Sequence, residues 1–384
     1  MGKVKLGDIF EIGSGGTPSK RRPEYYQGNI PWVKTGDLKK KYLYEVEGFI
    51  SKEGLDNSSA KMYDEDTVLI AMYGATIGAA SILKTRACTN QACAAFKPNE
   101  KVVPEYLYYF LKSRKERFIS DGVGGAQPNI SSGYLKKVEM EIPTIIRQKE
   151  IIKILDDIYD IIEKRKQESI QLDNLIQSRF VEMFGDPIIN NMSWPESTIG
   201  DGCFVTKLAG FEYSKYIEYD DTGDVVMVKA QNVKNGTLNR KDLSFISNEV
   251  SDALPRSQLL PGDVVMTYVG ANIGDVALID DKYKYHLAPN VAKIRVDAKI
   301  YNSVYFMYML MFLNSYIVKN SADTAKAALG MERIRKLKVF IPTYDLQNQF
   351  AAFVQQVNKS KFEIQKSLEK TQLLFDSLMQ EYFG

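Results

Sequence analysis

The chain has 384 residues, with 50 Lys and Arg against 48 Asp and Glu, a single histidine and a formal net charge of +2. Hydrophobic residues make up 45% and charged residues 26%, the balance of a globular chain of two or three domains. These figures exclude a disordered chain, a polybasic tail, a collagen-like fold and a disulfide-built one, and the near-neutral charge argues against a nucleic-acid binder, which is usually basic.

The opening stretch MGKVKLGDIFEI lacks the apolar run of a signal peptide, and the most apolar window, Val304–Leu313, is about half the ~20 residues of a bilayer span. Cys88, Cys93 and Cys203 make no disulfide framework and have no nearby histidine with which to build a zinc site. The sequence therefore predicts a cytoplasmic protein with three small buried thiols, no membrane contact and no metal.

Followed along the chain, the sequence is written twice. Leu6-Gly7-Asp8 returns as Ile199-Gly200-Asp201, and Trp32-Val33-Lys34 as Met227-Val228-Lys229. Phe49-Ile50-Ser51 returns as Phe245-Ile246-Ser247, and Gly74-Ala75-Thr76-Ile77-Gly78 as Gly270-Ala271-Asn272-Ile273-Gly274. Ile142-Pro143-Thr144 and Phe184-Gly185 return 199 positions later as Ile341-Pro342-Thr343 and Phe383-Gly384. The offset drifts in the first part of each repeat and holds at 199 in the last. Surface loops absorb length changes, whereas one residue inserted in a packed helix turns its apolar face by ~100°. Each repeat thus reads as a variable globular module followed by an invariant helical arm.

Within the modules, short strand-like runs such as Thr67–Met72 and Asp263–Thr267 are each followed by a Gly-x-x-x-Gly loop. A tyrosine-rich helix is predicted over Pro104–Ile119 and again over Ser303–Val318, with Tyr106 and Tyr109 matching Tyr305 and Tyr308. In the first arm Ile151, Leu155, Ile158, Ile162, Leu172, Ile176 and Met183 follow the 4-3 spacing of a coiled-coil seam. Arg165, Ser169 and Arg179 interrupt it, where the second arm has Ile364, Leu368 and Leu378. Lys361 and Thr371 in turn are the second arm's equivalents of Ile162 and Leu172, so every seam position is apolar at least once and the arms are expected to pair with each other. The expected organisation is a module over 1–142, an arm over 143–185, a second module over 186–341 and a second arm over 342–384. The fold class is α+β: two globular α/β modules, related by an approximate two-fold axis, separated by two long helices forming an antiparallel coiled coil.

Catalytic chemistry is missing. Phe10–Gly16 superficially resembles a glycine-rich cofactor loop, but the prolines of Thr17–Pro23 remove donors and cannot open a helix cleanly. A flexible loop presenting Lys20, Arg21 and Arg22 to phosphate is expected instead. No Walker motif, His-Glu-x-x-His, nucleophile elbow or kinase signature is present, and His286 alone cannot supply a triad or a histidine metal site. A satisfied surface or core histidine is expected there. No catalytic residue, cofactor site or metal ligand is assigned.

Polar residues suited to base edges recur at matching places. Asn90-Gln91-Ala92 aligns with Asn290-Val291-Ala292, Thr76 with Asn272, and Gly124–Asn129 more loosely with Lys326–Gly330. Asn and Gln read adenine through two hydrogen bonds, and Arg and Lys read guanine, although the same residues also serve turns and caps.

As an ensemble these features resemble the specificity subunit of a Type I restriction-modification system. The resemblance is carried by Leu6-Gly7-Asp8, Gly15-Gly16-Thr17-Pro18-Ser19, Gly28 to Leu38, Gly74–Gly78, Asn90-Gln91-Ala92 and Gln127-Pro128-Asn129-Ile130. Ile142-Pro143, Arg147-Gln148 and the arm ending Phe184-Gly185-Asp186-Pro187 complete the first half. The second half repeats the frame without the Gly-Gly-Thr-Pro-Ser and Pro-Trp segments. The resemblance implies two target-recognition domains, each reading one half of a bipartite, asymmetric site in double-stranded DNA. The arms would fix the spacer and dock two modification (methyltransferase) subunits, through which restriction subunits join. Catalysis and cofactors would lie with those partners.

On this reading Lys20, Arg21, Arg22, Lys39, Lys40 and Lys41 contact phosphates. Lys34, Thr35, Tyr73, Thr76, Asn90, Gln91, Gln127 and Asn129 of the first module line the DNA, as do Lys229, Gln231, Asn232, Asn272, Asn290 and Lys326 of the second. Lys164, Arg165, Lys166, Phe184 and Phe383 are the expected partner contacts. The competing classes are a methyltransferase or nuclease in its own right and a coiled-coil scaffold or adapter without sequence-specific DNA binding. The charge objection weakens once the chain is divided: the first module carries 21 basic and 17 acidic side chains, the second 18 of each.

Overall fold

The computed structural model describes residues 2–122, 129–234, 236–321 and 328–384. Two compact units emerge: Met1–Gln167 with Gln365–Gly384, and Glu168–Ile364.

The first unit opens with the strand Lys3–Lys5, which pairs antiparallel with Glu139–Glu141, so that Lys3 faces Glu141 and Lys5 faces Glu139. This two-stranded ribbon ties the start of the module to its end. Between them lie two sheets. The larger runs Ile12–Ser14, Cys93–Phe96, Val68–Ala71, Ala80–Leu83, Tyr42–Leu43 in spatial order, and its Val68–Ala71 strand is buried on both faces, which explains its unbroken apolar run. The smaller runs Phe49–Ile50, Ile30–Val33, Ala87–Thr89, Met62–Tyr63, with Ile30–Val33 parallel to Ala87–Thr89.

The second unit repeats this plan. Its ribbon pairs Glu196–Thr198 with Lys338–Phe340. One sheet orders Cys203–Lys207, Val291–Val296, Val264–Thr267, Val276–Leu278, and the other orders Phe245–Ile246, Val225–Val228, Lys284–Leu287, Gln258–Leu259. Again the pair at the middle of the second sheet, Val225–Val228 with Lys284–Leu287, is parallel.

The register corrects one sequence alignment. Cys93 pairs with Ala71 and Val291 with Thr267, so Asn90 is matched by Ala288, and Asn290 stands where the first module has Ala92. His286 likewise matches Cys88, each lying next to the end of its parallel strand. It is a core histidine: its ring is fully buried, with Nε2 3.3 Å from the Leu254 carbonyl, and burial pulls it below the usual imidazole range. Cys88 and Cys93 are buried and Cys203 half-buried, all three thiols being pushed up by desolvation.

The tyrosine-rich helices are each broken where the sequence suggested continuity. Pro104–Ser113 and Lys115–Ser120 meet at Arg114, and Ser303–Phe312 and Asn314–Ser321 meet at Leu313. Neither corner holds a proline or glycine. Both arms are helices of 40 residues, Ile145–Phe184 and Tyr344–Phe383.

In the first unit Ile151, Leu155 and Ile162 from the first arm join Phe375, Met379 and Phe383 from the second in the module's own core. The beginning of one arm therefore packs with the end of the other. In the second unit Ile176, Phe180 and Phe184 meet Phe350, Val354 and Val357 in the same sense. The seam departs from expectation near the end of each arm: Phe180 is buried while its neighbour Arg179 stays half-open and pairs with Glu182, and Met379 is buried beside a half-buried Leu378.

A glutamine fixes each arm to its module. Gln148 is fully buried; its Nε2 donates to the carbonyls of Lys101 and Pro143, at 2.9 Å each, and its Oε1 accepts from Val103 N–H at 2.8 Å. Gln347 does the same with Ile300 (3.1 Å), Pro342 (2.9 Å) and Asn302 N–H (2.8 Å).

Candidate nucleic-acid interface

The parallel strand pair determines where the polar loops meet. Two adjacent parallel strands end at the same edge of a sheet, so the segments that follow them emerge side by side. In the first module Lys34-Thr35 follows one strand and Asn90-Gln91 the other, and Asn90 N–H donates to the Val33 carbonyl at 2.9 Å. Met72 N–H reaches the Ala92 carbonyl at 2.8 Å, which brings Tyr73–Gly78 to this edge, and Tyr73 bridges Asn129. Thr17 Oγ1 donates to Gln91 Oε1 at 2.5 Å, adding the glycine-rich loop.

That loop is fastened down rather than flexible through Pro18. Trp32 Nε1 donates to the Gly16 carbonyl at 3.0 Å and Tyr26 OH to that of Pro18 at 2.6 Å. A Cβ at Gly15 would stand 1.8 Å from the Thr89 carbonyl oxygen, so only glycine fits this crossing. Lys20, Arg21 and Arg22 follow it and are exposed, Arg22 paired with Glu24 at 3.2 Å. Gly78, at φ +77°, turns the 73–78 loop back against Lys115.

The second module builds the same rim. Ala288 N–H donates to the Val228 carbonyl at 3.2 Å, Tyr268 N–H to that of Asn290 at 2.9 Å, and Val269 bridges Ala328. Lys229, Gln231, Asn272 and Asn290 lie on these segments, Gln231, Asn272 and Asn290 being exposed. Lys229 Nζ donates to Ser244 Oγ at 2.7 Å. Asn290 sits at φ +69°, a left-handed conformation that asparagine tolerates.

Several expected site residues do other work. Lys41 is buried at 8% exposure, its ammonium on Asp156 of the first arm and over the Tyr109 ring at 4.7 Å. Tyr109 OH donates to the same carboxylate, and burial, reinforced by that carboxylate, drives the phenol far above its usual range. Asn232 is a cap: its Oδ1 accepts from Lys229 N–H at 3.0 Å, as Asp37 Oδ2 accepts from Lys34 N–H at 2.8 Å. Lys39 and Lys40 are exposed but leave the rim, the Lys40 carbonyl taking the Ser81 hydroxyl at 2.6 Å. Phe184 and Phe383 are buried, turned into the cores of their own units rather than outward. Lys164 and Lys166 are exposed on the first arm, Lys166 beside Glu163 at 2.7 Å, and Arg165 is half-buried. Gln127 and Lys326 fall outside the described residues.

Sequence reasoning passed over Thr17 as a rim residue, and over Lys207, whose ammonium lies 5.4 Å from the Tyr268 ring. Among the described residues no group of three or more His, Cys, Asp or Glu is arranged to hold a metal, and no helix is long and apolar enough to cross a membrane. What remains is a repeated rim of amides, hydroxyls and cations.

A family model described as "Type I restriction modification DNA specificity domain" matches residues 1–172 and again residues 191–373. The chain belongs to that family. The Type I restriction enzyme MjaIX specificity subunit of Methanocaldococcus jannaschii is 25% identical over 98% of this chain and 90% of its own length. The EcoR124I/EcoR124II specificity subunit of Escherichia coli is 29% identical over 39% of each chain. Among solved structures, the Type I restriction-modification S subunit from M. genitalium has a TM-score of 0.58 at 16% identity, covering 100% of this chain and 96% of that one. A chain from a structure described as underlying complex assembly and conformational transition of the type I R-M system has a TM-score of 0.62 at 14% identity, covering 100% and 97%. These two likenesses establish the fold. The specificity family is a non-catalytic component of restriction-modification complexes, and DNA target recognition is its role.

Proposed function

We propose that each module reads one half of a bipartite, asymmetric sequence in double-stranded DNA, using the rim at the end of its parallel strand pair. The observation that carries this reading is the repetition of one scaffold with different side chains. Thr76 becomes Asn272, Asn90 becomes Ala288, and Ala92 becomes Asn290, on loops held by equivalent backbone hydrogen bonds. Equal frames with unequal donors and acceptors are what two different half-sites require.

Lys34, Thr35, Tyr73, Thr76, Asn90, Gln91 and Asn129 form the first reading surface, with Lys20, Arg21 and Arg22 on phosphates. Lys229, Gln231, Asn272 and Asn290 form the second. The four segments 1–142, 143–185, 186–341 and 342–384 act as reader, arm, reader and arm. The paired arms set the spacer between the half-sites and dock two modification subunits, Lys164 and Lys166 lying on that surface, and restriction subunits join through them. Weak bulk charge leaves affinity to loop contacts and to partners that close on the duplex.

Replacing residues 1–142 by the corresponding module of a relative tests the reading. Methylation mapping across the genome should show one half of the modified motif changed and the other retained. Alteration of both halves would overturn the two-reader model, and methylation without any sequence preference would favour a scaffold.

A further inference from the structure

The corner after the tyrosine-rich helix differs in kind between the two repeats. The first module has Lys112-Ser113-Arg114-Lys115 where the second, 199 positions later, has Met311-Phe312-Leu313-Asn314. In the second unit this corner closes on itself. The Phe312 ring stands edge-on to Phe180 of the first arm, 4.9 Å between centroids, and Leu313 is buried.

In the first unit Ser113 occupies the place of Phe312, and Met379 of the second arm the place of Phe180. A cavity of about 570 Å³ opens at this point. Its apolar wall includes Tyr159, Phe375, Met379 and Phe383. Its mouth carries Lys112, whose ammonium lies 4.9 Å from the Tyr159 ring, together with Arg114 and the exposed Lys115. Arg114 Nη2 donates to the Phe383 carbonyl at 2.6 Å, yet its Nε is buried and meets no acceptor among the described residues. Of the carboxylates that line it, Glu163 is turned to Lys166 at 2.7 Å and Asp376 to the Gln372 amide at 2.9 Å, while Glu116 lies exposed beside Lys115.

We propose that this cavity seats an aromatic side chain of the modification subunit, carried next to a carboxylate. The ring takes the volume that Phe312 fills in the second unit, against walls that are already aromatic. The carboxylate meets the exposed Lys115 at the mouth and draws toward it the Arg114 guanidinium, whose Nε donor is unmatched. Large rings in desolvated pockets are the usual anchors of protein interfaces. A phosphate would satisfy the cations and leave the apolar wall bare, so the geometry favours protein over nucleic acid. The anchor exists in the first unit only, which makes the two docking sites chemically unequal. The inference rests on the arms being the docking surface.

The test is Ser113→Phe in the full chain, with the modification subunit of the same system titrated in and the complexes weighed by native mass spectrometry. Wild type should take up two copies. Ser113→Phe should keep one copy and bind the second at least tenfold more weakly, with a melting temperature equal to or above that of wild type. Lys115→Glu, at an exposed position, should weaken the same copy in a salt-dependent way. Two copies bound by Ser113→Phe with wild-type affinity would overturn the proposal. So would a loss of DNA binding by that variant without the modification subunit, which would assign the corner to nucleic acid. If wild type itself takes up no modification subunit, the docking reading falls first and this proposal with it.

Discussion

Gln148 and Gln347 stand 199 positions apart in sequence, and each makes the same three hydrogen bonds to the loop that opens its module's tyrosine-rich helix and to the proline before its arm. A buried amide in an otherwise apolar seam is stable only when its donors and acceptor are matched, and here they are. Gln148→Leu would leave the Val103 N–H and two carbonyls unpaired in the core. The expected loss is about 3 kcal/mol, read from urea unfolding of the first unit, with Gln347→Leu doing the same to the second. A change below about 1 kcal/mol would show that the arm is held by apolar packing alone.

Lys41 and Asp156 form a second joint, confined to the first unit. Lys41→Met should cost about 2 kcal/mol, a figure already reduced because the Asp156 side chain is 34% exposed. Lys41→Met with Asp156→Asn should recover most of it, since no charge is left unpaired and the Asn carbonyl still accepts from Tyr109 OH. DNA affinity of the doubly substituted chain should equal that of wild type. A tenfold loss of affinity would return Lys41 to the phosphate contacts.

Lys293 lies in the central strand of the second module at 2% exposure, its ammonium donating to the carbonyls of Arg256 at 2.6 Å and Gln258 at 2.8 Å. Burial pulls it from 10.5 down to about 8. A base whose folded value is depressed weakens the fold wherever the unfolded chain keeps the proton, and the penalty is complete below about pH 8. It disappears as pH rises from about 8 to 10.5, and its full size is on the order of 3 kcal/mol. Relative to Lys293→Met, wild type should therefore gain about 2 kcal/mol of stability between pH 7 and pH 10. Denaturant midpoints of the pair that move in parallel across this range would refute the assignment.

Asn290 allows the second rim to be probed without disturbing its backbone. Glycine accepts the same positive φ, so Asn290→Gly removes the amide and leaves the loop in place. If Asn290 reads a base, one position of one half-site should relax by about 10- to 100-fold, as measured by methylation of a randomised DNA library. A uniform loss across all sequences would make it a backbone contact instead.

Much of this organisation was legible in the sequence. The constant offset of 199 located both helices, since a packed helix tolerates no insertion, and the matching loops located both rims. The alignment of Asn90 with Asn290 failed because a short Asn-x-Ala likeness outweighed a register that only strand pairing reveals. The breaks at Arg114 and Leu313 carry no helix-breaking residue; tertiary packing against the arms overrides the helical periodicity there. Lys41 looked like one cation in a basic run because nothing local announces Asp156, 115 positions away. Phe184 and Phe383 fall among the expected partner contacts because a repeated aromatic marks either a core or a contact, and burial alone distinguishes them.

The ribbons Lys3–Lys5 with Glu139–Glu141 and Glu196–Thr198 with Lys338–Phe340 make each module enter and leave the chain at adjacent strands, about 4.8 Å apart. A domain attached at one point behaves as a cassette. Its interior can change length or be exchanged wholesale by recombination without altering the phase of the helix that follows. If each module reads its own half-site as proposed, a new specificity needs only a new cassette rather than a rebuilt chain, and the two cassettes can diversify independently.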